Sequence, residues 1–181
     1  MRVISGKYRG KKLFAPEGND VRPTTDRIKE TVFNILNSKS DFYGAKVLDL
    51  FSGSGALGIE ALSRCAVSAV FVDKSRDSVE LTKKNLKNFG AEGEVYNTDF
   101  QVALKKLYGR QFDFIFLDPP YFGKNEQEIF DLIQKYDLLT QKGIIFLEHS
   151  TKIPLPDIGE RYIIDNRVCG STSIAFLQRS Y

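Results

Sequence analysis

From Lys46 onward the chain alternates short β-branched and aromatic runs with stretches of helical periodicity, and this alternation restricts the fold more than any other feature. The patterns predict strands over 46 to 50, 68 to 73, 94 to 97, 112 to 117 and 144 to 148. Helices are expected between them, at about 56 to 65, 75 to 89, 100 to 107 and 125 to 137. Neighbouring strands joined through a helix run parallel, so repeated units of this kind imply an α/β chain with a mostly parallel sheet and helices on both faces. The final runs, 160 to 168 and 173 to 179, have no helical spacing between them and meet at Gly170, the pattern of a terminal antiparallel pair. A length of 181 residues suits one main domain, near the ~150-residue norm.

Ahead of this core, residues 2 to 14 read as two short strands around glycine turns, a basic β-hairpin with Val3, Ile4, Leu13 and Phe14 available to pack. Thr24 or Thr25 can then cap a helix whose Ile28, Val32, Ile35 and Leu36 recur on one face, with Asp26 suited to its positive first turn. The expected division is a hairpin extension over 1–22 and a larger domain over 23–181. Charge makes the same division. The whole chain carries +3, yet residues 1 to 36 hold eight basic side chains against four acidic ones, while the remainder holds 18 against 19. A polyanion would therefore be met first at the N-terminal segment, through Lys7, Arg9, Lys11, Lys12, Arg22 and Arg27. Tyr8 interleaves with these cations, which favours nucleic-acid contact over a merely solvated face.

Composition excludes several other classes. A hydrophobic share of 42%, a charged share of 27% and a mean hydropathy of -0.25 are those of an ordinary globular protein. The basic start leads into no apolar signal region, and no apolar run approaches the ~18 residues of a spanning helix, so a cytoplasmic protein without membrane contact is expected. Cys65 and Cys169 are far apart and His149 is the single histidine, so neither a metal site nor a disulfide framework is expected. Cys65 and Cys169 read as small core residues, and His149 as a strand-end histidine bonded to a neighbour.

The first core strand runs into Val47-Leu48-Asp49-Leu50-Phe51-Ser52-Gly53-Ser54-Gly55-Ala56-Leu57-Gly58, a glycine-rich strand-to-helix turn, and Asp73 ends the next strand. Such a turn brings backbone close to a ligand, and an acid at Asp73 can bind both ribose hydroxyls. Gly53, Gly55 and Gly58 formally satisfy the dinucleotide pattern. Asp49 argues against that reading, because a carboxylate there repels a pyrophosphate and attracts the ammonium or sulfonium region of S-adenosylmethionine. Asp99 closes the third strand and could accept the adenine amino group, with Phe100 covering the ring. Its alternative role is to cap the helix that starts at Phe100.

The most specific signal is Asp118-Pro119-Pro120-Tyr121, directly after an apolar strand. Two prolines remove backbone donors and fix an extended turn, so the Asp118 carboxylate and the Pro119 carbonyl are held rigidly. That pair suits the two N–H groups of an exocyclic base amine, with Tyr121 stacking on the ring. Acceptors on both hydrogens favour a transition state in which the nitrogen becomes pyramidal and positive.

These residues resemble class I S-adenosylmethionine-dependent methyltransferases of the amino-methylating kind. More narrowly, Arg2-Val3-Ile4-Ser5-Gly6 with Arg9-Gly10, Arg22-Pro23-Thr24-Thr25-Asp26-Arg27 leading into Glu30-Thr31-Val32-Phe33-Asn34, and the glycine turn are similar to the bacterial 16S ribosomal RNA guanine-N2 methyltransferases, over essentially the whole chain. The DPPY element is shared with adenine and cytosine amino methyltransferases; the RPTTDR helix and basic hairpin select the family. The resemblance implies a Rossmann-like fold with a seven-stranded sheet in the order 3-2-1-4-5-7-6. It implies a cofactor site of Asp49, Phe51, Gly53, Gly55, Asp73, Lys74, Asp99 and Phe100, and a guanine held by Asp118 to Tyr121, where relatives commonly carry Phe at the last position. The implied partner is 16S ribosomal RNA, within the small subunit or an assembly intermediate, with the chain acting as a monomer. Two rivals remain: adenine-N6 methylation of DNA, and a non-catalytic RNA-binding module that retains the cofactor fold.

Overall fold

The computed structural model describes residues 1–15, 26–119, 126–170 and 172–180. Five parallel strands form most of one sheet: β1 (Lys46–Leu50), β2 (Ser68–Asp73), β3 (Glu94–Asn97), β4 (Phe112–Leu117) and β5 (Leu139–Ser150). β6 (Tyr162–Cys169) and β7 (Thr172–Arg179) complete it as an antiparallel pair, giving the order β3-β2-β1-β4-β5-β7-β6. Helices α1 (Asp26–Lys39), α2 (Ala56–Ser63), α3 (Arg76–Phe89), α4 (Phe100–Lys106) and α5 (Glu126–Lys135) cover the two faces.

The near-continuous apolar strands follow from burial on both sides. Val47, Phe71, Phe114, Phe116 and Phe146 pack with α1, α2 and α3. Their chain neighbours Leu48, Val70, Val72, Ile115 and Leu147 pack with α4 and α5. β5 is longer than the 144 to 148 run, because its pairing with β4 shifts register between Phe112 and Phe114 and lets Leu139 pair early. The strand order reverses between β1 and β4, and a crevice outside the C-terminal ends of strands at such a point is where open α/β sheets bind ligands.

The N-terminal arm takes a reduced form of the expected hairpin. Its two limbs share a single antiparallel bridge, Arg2 with Lys12, closed by a 3-10 helix over Gly6–Tyr8. A fuller ladder does not form because α2 takes the backbone donors: Ile4 and Ser5 N–H donate to the Glu60 carboxylate at 2.8 and 3.0 Å, and Tyr8 N–H donates to Ser63 Oγ at 2.9 Å. Val3, Tyr8 and Leu13 enter the same core as α1 and α2. Beneath them Lys29 Nζ lies 3.2 Å from Glu60, both side chains fully buried, and donates to the Arg2 carbonyl. Burial pulls the Lys29 pKa down, opposed by the Glu60 charge. Thr24 and Thr25, the expected caps of α1, lie outside the described residues.

One minor expectation changes. Cys65 is exposed rather than core, at φ 74 just beyond the end of α2; the Cys169 side chain lies outside the described part of the structure. His149 is buried with Nδ1 3.1 Å from the Ser150 carbonyl, the neighbour-bonded role expected of it.

Candidate active site

The loop after β1 is held in a costly shape. Phe51 has φ 97, and Gly53 and Gly55 have φ 52 and 78. A bulky residue at positive φ costs of order 1–3 kcal/mol and persists where its surroundings over-determine it. Here Phe51 and Ser52 N–H both donate to the Val72 carbonyl, at 2.9 and 3.0 Å. From α3, Thr82 Oγ1 donates to the Gly53 carbonyl and Asn85 Nδ2 to the Ser54 carbonyl, each at 2.9 Å. Asp73 accepts from Gly53 N–H at 2.9 Å and from Ser75 N–H at 2.8 Å. The glycines divide their work. A Cβ on Gly53 would meet nothing within 4 Å, so its backbone is open to a ligand. At Gly55 a Cβ would lie 3.1 Å from Thr82, and at Gly58 it would lie 2.3 Å from the Phe71 ring, so these two serve packing.

Leu50, Phe51, Val72, Asp73, Lys74, Thr98, Asp99 and Phe100 border a shallow cleft beside this loop. Phe51 and Phe100, with ring centroids 6.0 Å apart, give it an apolar wall, and Asp73 and Asp99 supply acceptors at its rim. Asp99 also caps α4, its carboxylate accepting from Gln101 N–H at 3.1 Å. The same carboxylate therefore caps the helix and faces the cleft, using separate lone pairs. The donor set fits S-adenosylmethionine: acids for ribose hydroxyls and an adenine amine, aromatic carbon for the ring, and an open backbone at Gly53.

Asp49 lies beneath the loop, 3% exposed, accepting from Gly58 N–H at 2.9 Å. Burial, with the Asp73 charge, pushes its pKa up to about 7 against the pull of that hydrogen bond. Asp118 follows β4, one strand over. It keeps exposed surface, yet dense protein around the carboxyl and the charges of Glu148 and Asp49 raise its pKa to about 7. Three strand ends thus bring Asp49, Asp118 and Glu148 into one electrostatic cluster. Clustered acids with raised pKa values, at a strand-order reversal, are what proton-handling sites are built from.

The fold places Asp49, Phe51, Gly53, Asp73, Lys74, Asp99 and Phe100 at one edge of the sheet, with Asp118 and Pro119 adjacent. Pro120, Tyr121 and Arg22 lie outside the described residues. Lys7, Arg9, Lys11, Lys12 and Arg27 are exposed. Tyr8 is not a surface aromatic: it is buried against Phe89 at 5.4 Å between ring centroids, and Lys7 and Lys11 lie over its ring. Glu148, Thr82 and Asn85 were missed. Glu148 carried a usable signal, an acid ending an apolar strand like Asp49 and Asp73; Thr82 and Asn85 carried none.

A family model described as "Conserved hypothetical protein 95" matches residues 1–178. A Bacillus subtilis chain provisionally named the rRNA methyltransferase YlbH is 39% identical over 184 residues, covering 99% of both chains. The Escherichia coli K12 protein named ribosomal RNA small subunit methyltransferase D is 33% identical over 181 residues, covering 99% of this chain and 90% of that one. The chain belongs to this methyltransferase family. A solved Escherichia coli structure, provisionally named the methyltransferase yhhF, agrees at a TM-score of 0.89 and 32% identity, covering 99% of this chain and 98% of that one. The family match runs through the N-terminal arm as well as the sheet. The class I methyltransferase fold that the resemblance implied is the fold observed. Among the described residues, no helix is long and apolar enough to cross a membrane and no side-chain group could hold a metal ion.

Proposed function

We propose that this chain transfers a methyl group from S-adenosylmethionine to the exocyclic N2 of a guanine in 16S ribosomal RNA, free or within the small subunit. The observation that carries the reading is the placement of Asp118 and Pro119 at the end of β4, next to the cleft between β1 and β2. When bound, S-adenosylmethionine supplies an electrophilic methyl group on a positively charged sulfur.

The chain's own residues do the rest. Ionised Asp118 and the Pro119 carbonyl accept hydrogen bonds from the two N–H groups of the amine, orient its lone pair and favour the positive charge that develops on nitrogen. A carboxylate whose pKa stands near 7 is also matched to take the proton that the nitrogen must shed. Asp49 places negative charge under the loop where the cofactor's cationic end would lie. The guanine reaches this edge swung out of any stack, since the reacting nitrogen must meet Asp118 directly. The arm, with the rest of segment 1–22, acts as an RNA-binding extension of the catalytic domain over 23–181. The chain is proposed to act as a monomer in the cytoplasm.

The test is a labelled-methyl assay with small-subunit RNA and DNA side by side, run on the wild type and on Asp118→Ala. The expected result is incorporation into RNA by the wild type, loss of at least about a hundredfold in the variant, and S-adenosylmethionine binding retained in both. Preference for DNA, or full activity without the Asp118 carboxylate, would overturn the reading.

A further inference from the structure

Phe14 combines two properties that rarely coincide: its ring is exposed and its backbone is clamped. The residue is 42% exposed. Its N–H donates to Asn85 Oδ1 at 2.8 Å and its carbonyl accepts from Asn85 Nδ2 at 3.1 Å. Asn85 is fully buried on α3, and its amide also donates to the Ser54 carbonyl of the cofactor loop at 2.9 Å. One side chain therefore fixes an exposed aromatic in register with the loop that cradles the cofactor. Lys84 stands 4.2 Å over the Phe14 ring. Lys87, on the same helix, and Lys11, which lies over Phe89, extend the positive charge beside it.

We propose that Phe14 and Lys84 form a stacking platform for an unpaired base of the RNA substrate, with Asn85 as its positioning residue. An exposed ring stacks on any base face, and a neighbouring ammonium meets the phosphate that follows it. Burial of a large apolar ring would be the ordinary outcome of folding; a buried amide that holds it at the surface by both backbone groups preserves an exposed ring instead. RNA is the occupant because the surrounding surface is cationic and because the platform is tied to the methyl-transfer loop. The platform deepens the proposed function, and rests on it.

The chain contains no tryptophan, so Phe14→Trp introduces a single stacking-sensitive fluorophore. Tyr43→Trp is the control, an 80% exposed site before the N-terminal end of β1. Titration with a short single-stranded RNA should quench the indole of the Phe14→Trp variant and leave that of the Tyr43→Trp control unchanged. Phe14→Ala should weaken binding of that RNA about tenfold, Phe14→Tyr should restore it, and S-adenosylmethionine affinity should stay constant in all variants. An unquenched indole in Phe14→Trp, or wild-type affinity in Phe14→Ala, would overturn the platform while wild-type RNA binding left the proposed function standing. Absence of RNA binding by the wild type would overturn both.

Discussion

Two carboxylates, Asp49 and Asp118, hold their protons to about pH 7 in the folded chain, against a usual aspartate value of 3.8. Desolvation by the surrounding protein is the leading cause for each, reinforced by neighbouring carboxylates, and both favour the neutral form. Between those pH values the native state binds more protons than the unfolded chain, so stability falls as pH rises from about 4 to 7. Urea unfolding should show a lower midpoint at pH 8 than at pH 5, and Asp49→Asn should reduce that difference. A midpoint that rises with pH would contradict the assignment. In the proposed reaction the same titration acts in the opposite direction, since ionised Asp118 is the stronger acceptor for an amine and the form able to take its proton. Sequence carried the identity of both acids, because each ends an apolar strand. It could not carry their proton affinity, which arises from crowding and from Glu148, a residue placed beside Asp118 only by the pairing of β4 with β5.

The strands and helices were legible because each is written locally, in short near-continuous apolar runs and in i, i+4 spacing. The arm was not, because its partners lie more than fifty residues away. Glu60 and Ser63 read as unremarkable positions of α2, yet they receive the backbone of Ile4, Ser5 and Tyr8 and so replace a hairpin ladder with a docked loop. Gly6 is the element's tightest point: it sits at φ 81, and a Cβ there would lie 1.8 Å from the Ser63 carbonyl oxygen. Gly109 has a nearly equal φ of 83 with nothing within 4 Å, so the pair separates backbone strain from collision. Gly109→Ala should cost about 1 kcal/mol, roughly 2–4 °C in melting temperature. Gly6→Ala should cost clearly more and loosen the arm, read as faster amide exchange at Ile4, Ser5 and Tyr8. Equal losses would mean that the arm's docking contributes nothing.

A modest net charge of +3 conceals a division across the whole molecule. Part of the N-terminal excess is structural, since Lys29 is buried on Glu60 and Arg2 pairs with Asp26 at 3.3 Å. The cations left at the surface, Lys7, Arg9, Lys11 and Lys12, are joined by Lys84 and Lys87 of α3, a contribution the linear count assigned to the near-neutral remainder. The cationic surface is thus composite, and the arm is attached to the same helix that braces the loop after β1. Fold and cofactor edge were legible from motifs spaced within the parallel core. The composite surface was not, because it exists only after the arm has crossed onto α3. The proposed reaction is defined by its product. Nucleoside analysis of small-subunit RNA after incubation with the wild-type protein and S-adenosylmethionine measures it directly. The predicted result is N2-methylguanosine at a single position. Methylation of another base, or unmodified RNA beside methylated adenine in DNA, would contradict it.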